Sequence, residues 1–335
     1  MEEIRRIEIL LLVCLLLLTP TGSCLTPDTT HDFSLVEHHM TPRRTITVDD
    51  DGDGDYPSIK EAVENASSGD TIEVYSGIYY EYGIRLLTPN VTLQGIPQEL
   101  GNGSGTGKPF INGRGLSYVI DIASEDIVFS GFHIENWGNT YDCALYLDGT
   151  HNVVSNNDIS NAYLGLIDCG NCSNCSIINN TLSHCDTYPG ISLYFLSSYL
   201  TISGNVITNV SRGVDLWDSP HNTVTRNAIR NCWRGINILS DHNTVYLNTL
   251  EHNTVGLEVT GYDNVIKHNN FIGNTQYDAL FIIPPSDWHG PGYIKWIGNY
   301  WNRPRIGPHL IFGFSYGLPW FNVDWWPVLK PYKIK

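Results

Sequence analysis

The stretch HNTVTRNAIR, His221 to Arg230, returns almost unchanged as HNTVYLNTLE, His242 to Glu251. Both hold an Asn, an apolar residue, a second Asn and another apolar residue in fixed order, and looser copies run through the chain. Aligned on the second Asn, they put Asn157, Asn180, Asn205, Asn227, Asn248, Asn269 and Asn299 in one column, with steps of 23, 25, 22, 21, 21 and 30 residues. Self-similarity at such a period marks a repeat architecture.

A second column runs beside the first: ALYLD from Ala144, GLIDC from Gly165, GISLY from Gly190, GVDLW from Gly213, GINIL from Gly235, GLEVT from Gly256 and ALFII from Ala279. Its alternation has period two, as a strand requires. Ile191 and Leu193, Val214 and Leu216, Ile236 and Ile238, and Leu257 and Val259 fall on one side and form the expected core. Ser192 and Tyr194, Asp215 and Trp217, Asn237 and Leu239, and Glu258 and Thr260 fall on the other. Short strands repeating every 21 to 25 residues and stacking at about 4.8 Å form a parallel β-helix. A leucine-rich repeat needs a multi-Leu consensus that is missing here, and a propeller blade needs about 40 residues.

The Asn column reads as scaffold. Val224 and Ile229 both point inward, so the chain must bend between them, and Asn227 sits just after the bend. Asparagine suits tight turns, and stacked amides can hydrogen-bond from coil to coil.

The formal net charge of −16 argues against nucleic acid as a partner, whose phosphates it would repel. It also disfavours a strongly anionic polysaccharide unless metal ions bridge the two. Residues 1–24 read as a secretory signal: Arg5 and Arg6 precede an apolar run from Ile9 to Leu18, too short to span a bilayer comfortably. An uncleaved anchor, or lipidation at Cys24 of TGSC, is the alternative fate. No second long apolar run follows, so the expected product is secreted or at the cell surface, without a membrane span. Residues 25–44 are expected to be a disordered linker, 45–300 the β-helix and 301–335 an aromatic C-terminal cap.

Sequons for glycosylation begin at Asn65, Asn90, Asn102, Asn171, Asn174, Asn179 and Asn209. Six cysteines beyond the signal, Cys143, Cys169, Cys172, Cys175, Cys185 and Cys232, suggest disulfides in an exported chain. CGNCSNC has a metal-cluster-like spacing but lacks the fourth cysteine.

The stretch Ile46 to Glu81 carries a short helix with a capping box, Ser58 to Glu61, whose apolar face is Ile59, Ala62, Val63 and Ala66. This stretch resembles the start of pectin-lyase-like β-helix proteins, pectin methylesterases among them, where such a helix plugs the N-terminal end. The Asn/Gly repeats from Asp126 to Trp301 resemble the NosD type, a group of carbohydrate-binding proteins and sugar hydrolases. Similar secreted archaeal chains end with an NYW motif and an aromatic tail, like GNYWNRPR here. The resemblance implies a right-handed parallel β-helix with an N-terminal capping helix. It does not carry over an activity, and the NosD copper label transfers no ligand motif.

On this reading the protein is a non-catalytic carbohydrate-binding or structural β-helix whose partner is a polysaccharide or cell-surface glycan, bound by Trp217, Tyr194, Tyr146, Arg212 and Trp233. The rival is a polysaccharide hydrolase, or a lyase or epimerase, with Asp215 and Glu258 as catalytic carboxyls beside Arg234. Two coils apart, those carboxyls would be separated by about 9.6 Å, at the outer edge of the inverting range. A third reading, a copper accessory protein, rests on the family label. No metal ligands are assigned: His221 and His242, with His151 farther off, read as turn residues. A calcium ion is the cofactor the sequence suggests, on DDDGDGD, Asp49 to Asp55, through Asp51, Asp53 and Asp55, with Glu61 the nearest further carboxylate. The basic, aromatic tail, with Trp301, Trp320, Trp325, Trp326, Phe312, Phe314 and Phe321, reads as a cover for the last coil.

Overall fold

A computed structural model describes residues 43–136, 143–283, 294–315 and 317–334. The signal and nearly all of the expected linker fall outside them. From Thr45 onward the chain winds as a right-handed parallel β-helix, with three sheets of 11, 11 and 10 strands. One coil shows the plan. Thr201–Ser203 joins the first sheet, Val206–Val210 the second and Arg212–Trp217 the third. The next coil repeats them as Thr223–Thr225, Ala228–Arg230 and Arg234–Leu239. Pairing is parallel and in register: Ile202 with Val224, Ile207 with Ile229, Leu216 with Ile238.

All eight residues assigned inward from the second column are fully buried, as are Val224 and Ile229. Each such aliphatic side chain contributes roughly 1.5–3 kcal/mol on leaving water, so the stack is held by apolar columns running along its axis.

The Asn column is a continuous buried ladder. The backbone N–H of Asn205 donates to Oδ1 of Asn227 at 2.9 Å, and that of Asn227 to Oδ1 of Asn248 at 3.0 Å. The Nδ2 of Asn227 donates onward to Asn248 Oδ1 at 3.0 Å and back to the Ile202 carbonyl at 2.9 Å. The same pattern links Asn157, Asn180, Asn205, Asn248, Asn269 and Asn299. The bend itself is made one residue earlier: Arg226, Leu247 and His268 each hold φ 55°. Each ladder Asn therefore satisfies the corner backbone that its left-handed predecessor exposes. The row ends on buried Asp324, whose Oδ2 accepts from Asn299 N at 2.8 Å, Asn299 Nδ2 at 3.1 Å and Trp301 Nε1 at 3.1 Å.

A second corner is built alike from Asn152, Asn222, Asn243 and Asn264, preceded by left-handed His151, His221, His242 and Asp263. In this column Cys175 replaces an Asn, and its Sγ accepts from Asn152 N at 3.4 Å. Cys185 and Cys232 hold corner positions behind left-handed His184 and Asn231. The six cysteines expected to pair as disulfides are free, buried thiols here. Cys169, Cys172, Cys175, Cys185 and Cys232 join the apolar core, whereas Cys143 is buried beside the outward-facing Asp168; burial pushes the thiol pKa of Cys185 and Cys232 up to about 11. CGNCSNC lies along the strand Ile167–Ser173 and the turn after it, and among the described residues its three sulfurs do not converge as a metal-ligand group. All seven sequon asparagines are exposed.

The helix Ile59–Glu64 buries Ile59, Ala62 and Val63, while Ala66 is half-buried against the core. Its N-terminus differs from the expected capping box. Ser58 Oγ accepts from Glu61 N at 3.3 Å, but Glu81 supplies the reciprocal carboxylate, accepting from Ile59 N at 2.8 Å and Lys60 N at 2.9 Å. At the other end Trp301 is buried and stacks on Phe271 at 4.5 Å. The strand His309–Ser315 continues the third sheet, and Leu318–Asp324 closes it antiparallel. Trp320, Phe321, Trp325 and Trp326 remain exposed, so covering the last coil falls to part of the aromatic tail.

Candidate functional site

Outward side chains of the third sheet fall into register, coil by coil. Pairing places Arg85, Asp121, Tyr146, Asp168, Ser192, Asp215, Asn237 and Glu258 in one column. Tyr194 and Trp217 continue their strands one outward position farther along. Arg212 and Arg234 pair with each other at the strand starts.

Around Asp215 this face opens into a cleft of about 570 Å³, lined by Tyr188, Ser192, Tyr194, Phe195, Arg212 and Trp217 among others. Trp217 is 67% exposed and Phe195 70%. Phe195 and Leu196 both hold positive φ, 54° and 62°, an unusual conformation for bulky residues. It is held by Leu196 N donating to the Asp218 carbonyl at 2.9 Å and Ser197 Oγ donating to the Tyr194 carbonyl at 2.8 Å. The strain sets Phe195 edge-on to Tyr194, ring centres 4.9 Å apart, and leaves it standing at the lip. Tyr194 meets Tyr146 through their hydroxyls. Gly170 makes room for that contact, since a Cβ there would lie 2.6 Å from the Tyr146 hydroxyl.

The carboxyls singled out from the sequence are brought to this face but are occupied. Asp215 Oδ1 accepts from Asn237 Nδ2 at 2.6 Å, and its Oδ2 from Arg212 Nη1 at 3.3 Å. Burial nonetheless pushes its pKa up, with the amide and both arginines opposing. Glu258 is bound to Arg234, Nε to Oε2 at 2.7 Å, and the same guanidinium lies 3.7 Å over the Trp233 ring. Glu258, Arg234 and Trp233 thus form a closed group beside the cleft.

Asp168 was not singled out, although it shares the Asp215 register and could have been found by extending that column through GLIDC. Its Oδ1 is buried without a hydrogen-bond partner. Burial pushes this carboxyl up to about 7; the Cys143 thiol beside it pulls the other way and the Asp215 charge adds to the rise. Tyr188 and Phe195 also line the cleft without any repeat signal, because both lie where the coil is irregular.

Solved structures share the fold. XylC in complex with xylose superposes with a TM-score of 0.58 at 11% identity, over 84% of this chain and 73% of that one. Pectate lyase Pel9A gives 0.54 at 13% identity, over 76% and 74%. The A-module of the Azotobacter vinelandii mannuronan C-5 epimerase AlgE6 gives 0.50 at 12%, over 73% and 82%. No curated protein matches the chain in sequence. A family model described as periplasmic copper-binding protein (NosD) matches residues 63–306, and among the described residues no helix is long and apolar enough to cross a membrane.

The donors a copper ion would need do not converge among the described residues. His221 and His242 are stacked, ring centres 5.0 Å apart and planes 3° from parallel, with Tyr199 continuing the stack. Lone pairs in parallel ring planes do not meet at one ion. Among the described residues, Asp49, Asp51 and Asp53 bring ligand atoms close enough to share a metal, an all-oxygen set suited to hard cations rather than to copper. What the match and the coil establish together is membership: this chain belongs to the NosD family of parallel β-helix proteins.

Proposed function

We propose that this protein is a non-catalytic glycan-binding β-helix, exported to the cell surface or beyond, which holds a neutral or weakly charged polysaccharide in the Trp217 cleft. The observation that carries the reading is the exposed aromatic wall of Tyr194, Phe195 and Trp217 above Arg212 and Asp215. Aromatic faces stack on the apolar faces of sugar rings, and a few fixed polar groups below them orient hydroxyls. Asp215 and Arg212 neutralise each other, which favours a sugar without strong charge. Glu258 is committed to Arg234 and Asp215 to two donors, so neither is free to pass a proton. The test is a glycan panel followed by calorimetry. Trp217→Ala should lose binding at least tenfold, while Glu258→Gln retains it; a wild type that binds no glycan in the panel removes the reading.

One observation favours a catalytic reading, a hydrolase or lyase. Asp168, its pKa pushed up to about 7 by burial, keeps a substantial protonated fraction near neutral pH and shares a column with Asp215, with Ser192 between, a pairing that separates acid and base roles in two-carboxylate chemistry. Turnover of a bound glycan that Asp168→Asn abolishes would establish it.

A further inference from the structure

Far from that cleft, at the first coil, the acidic run Asp49 to Asp55 divides into two groups. Asp50 is committed: its Oδ2 accepts from Ile78 N at 2.9 Å. Asp55 is committed as well, to Thr47 N at 2.9 Å and Thr47 Oγ1 at 3.1 Å. The remaining three turn toward one point, and a ligand oxygen from each of Asp49, Asp51 and Asp53 lies within 4.8 Å of the other two. Oxygens bound to one calcium ion at 2.3–2.6 Å lie at most about 5 Å apart.

Three carboxylates at that spacing repel one another, and nothing cationic relieves them. Among the described residues no Lys, Arg or His pairs with Asp49, Asp51, Asp53 or Glu99; the nearby Lys108 pairs with Asp158 at 2.9 Å. Asp49 is fully buried, and its Oδ1 has no hydrogen-bond partner. Glu99 Oε1 is buried and unpartnered too. Leaving buried carboxylate oxygens without a donor is costly, and a bound cation would satisfy all of them at once.

The loop Glu99 to Gly105 is folded onto this group. Asn102 N donates to Asp53 Oδ2 at 3.2 Å, and Gly105 N donates to Glu99 Oε2. A Cβ at Gly103 would lie 2.5 Å from Asp51 Oδ2 and 2.7 Å from Glu99 Oε1, so these two oxygens face the same space. Gly101, at φ 77°, brings its backbone against Asp53. The sequence suggested Asp51, Asp53, Asp55 and Glu61; the fold exchanges Asp55 for Asp49 and Glu61 for Glu99.

We propose that Asp49, Asp51, Asp53 and Glu99 form a calcium site that clips the glycine-rich loop Glu99 to Gly105 onto the first coil. An oxygen-only donor set selects a hard cation, and calcium tolerates the irregular geometry of two loops better than magnesium, which demands a near-ideal octahedron. Since the two loops come together only in the folded chain, the ion stabilises the native state by mass action.

The experiment uses the full chain, stripped with EDTA and moved into chelator-free buffer near neutral pH. Titration with calcium chloride should show one ion bound per chain, and saturating calcium should raise the Tm by roughly 5 °C, with magnesium chloride giving a smaller shift. Asp51→Asn should abolish both effects. Gly103→Ala, which leaves every charge in place but puts a methyl group between Asp51 and Glu99, should weaken calcium binding at least tenfold while circular dichroism stays unchanged. The proposal is overturned if the stripped wild type binds no calcium and melts identically in calcium and EDTA, as it would were the carboxyls sharing a proton instead. It is equally overturned if folded Asp51→Asn and Gly103→Ala chains keep the full wild-type response.

Discussion

Arg234 Nε lies 2.7 Å from Glu258 Oε2 while its guanidinium covers the Trp233 ring at 3.7 Å. A carboxylate held this way acts as the partner of one cation. Glu258→Gln should therefore cost about 1–3 kcal/mol in urea unfolding, because it strips charge from a largely buried pair. It should leave glycan affinity within threefold of wild type. An affinity loss as large as that of Trp217→Ala would place Glu258 in the ligand site instead.

The strained lip makes a sharper prediction. Phe195 pays for its positive φ, and Asn tolerates that conformation better. Phe195→Asn should leave thermal stability unchanged or raise it, and at the same time weaken glycan binding about tenfold. Stability and affinity falling together would instead mean that Phe195 acts as packing.

Asp168 carries a pH dependence whose sign is fixed. Its folded pKa, about 7, lies above the ordinary 3.8. Below about pH 4 both states hold the proton and nothing is lost. As pH rises toward 7 the unfolded chain releases the proton first, and folded stability falls, by at most about 4 kcal/mol before levelling off. Asp168→Asn should flatten this part of the profile. Urea melts at pH 4 and pH 8 read it directly: an equal loss in wild type and variant would refute the assignment.

The buried thiols predict that reductant leaves the Tm unchanged and that Ellman's reagent labels the six buried cysteines only after denaturation. A reductant-induced drop of several degrees would show that disulfides form after all.

His221 and His242 hold left-handed corner positions with exposed rings. Replacing both with Asn, which suits such φ values, should change stability by less than about 1 kcal/mol and leave any copper uptake untouched. Uptake that falls with these two histidines would restore a metal role to the stack.

Much of this was legible in the sequence for a physical reason. A coil must bury one side of every strand and satisfy every corner, so Val214, Leu216 and the Asn column repeat at nearly constant spacing. The site was legible only where it coincides with that repeat: Asp215, Trp217 and Glu258 stand in strand register, and pairing placed them as expected. Phe195 and Tyr188 lie in stretches that depart from the period, where neighbouring coils give no guide. Which carboxylates stay free was illegible as well. Asp55 is withdrawn by Thr47, and Glu258 by Arg234, through contacts that only the folded backbone sets.

The end of the ladder has a consequence for assembly. Every Asn in the row both receives and gives, so a coil finishing on Asn would offer the next layer, or another molecule, a ready template. Asp324 receives three donors on one oxygen and has no amide hydrogen of its own side chain to hand on. A carboxylate in the amide register thus closes the ladder at that corner, because its side chain has no hydrogen with which to extend the row.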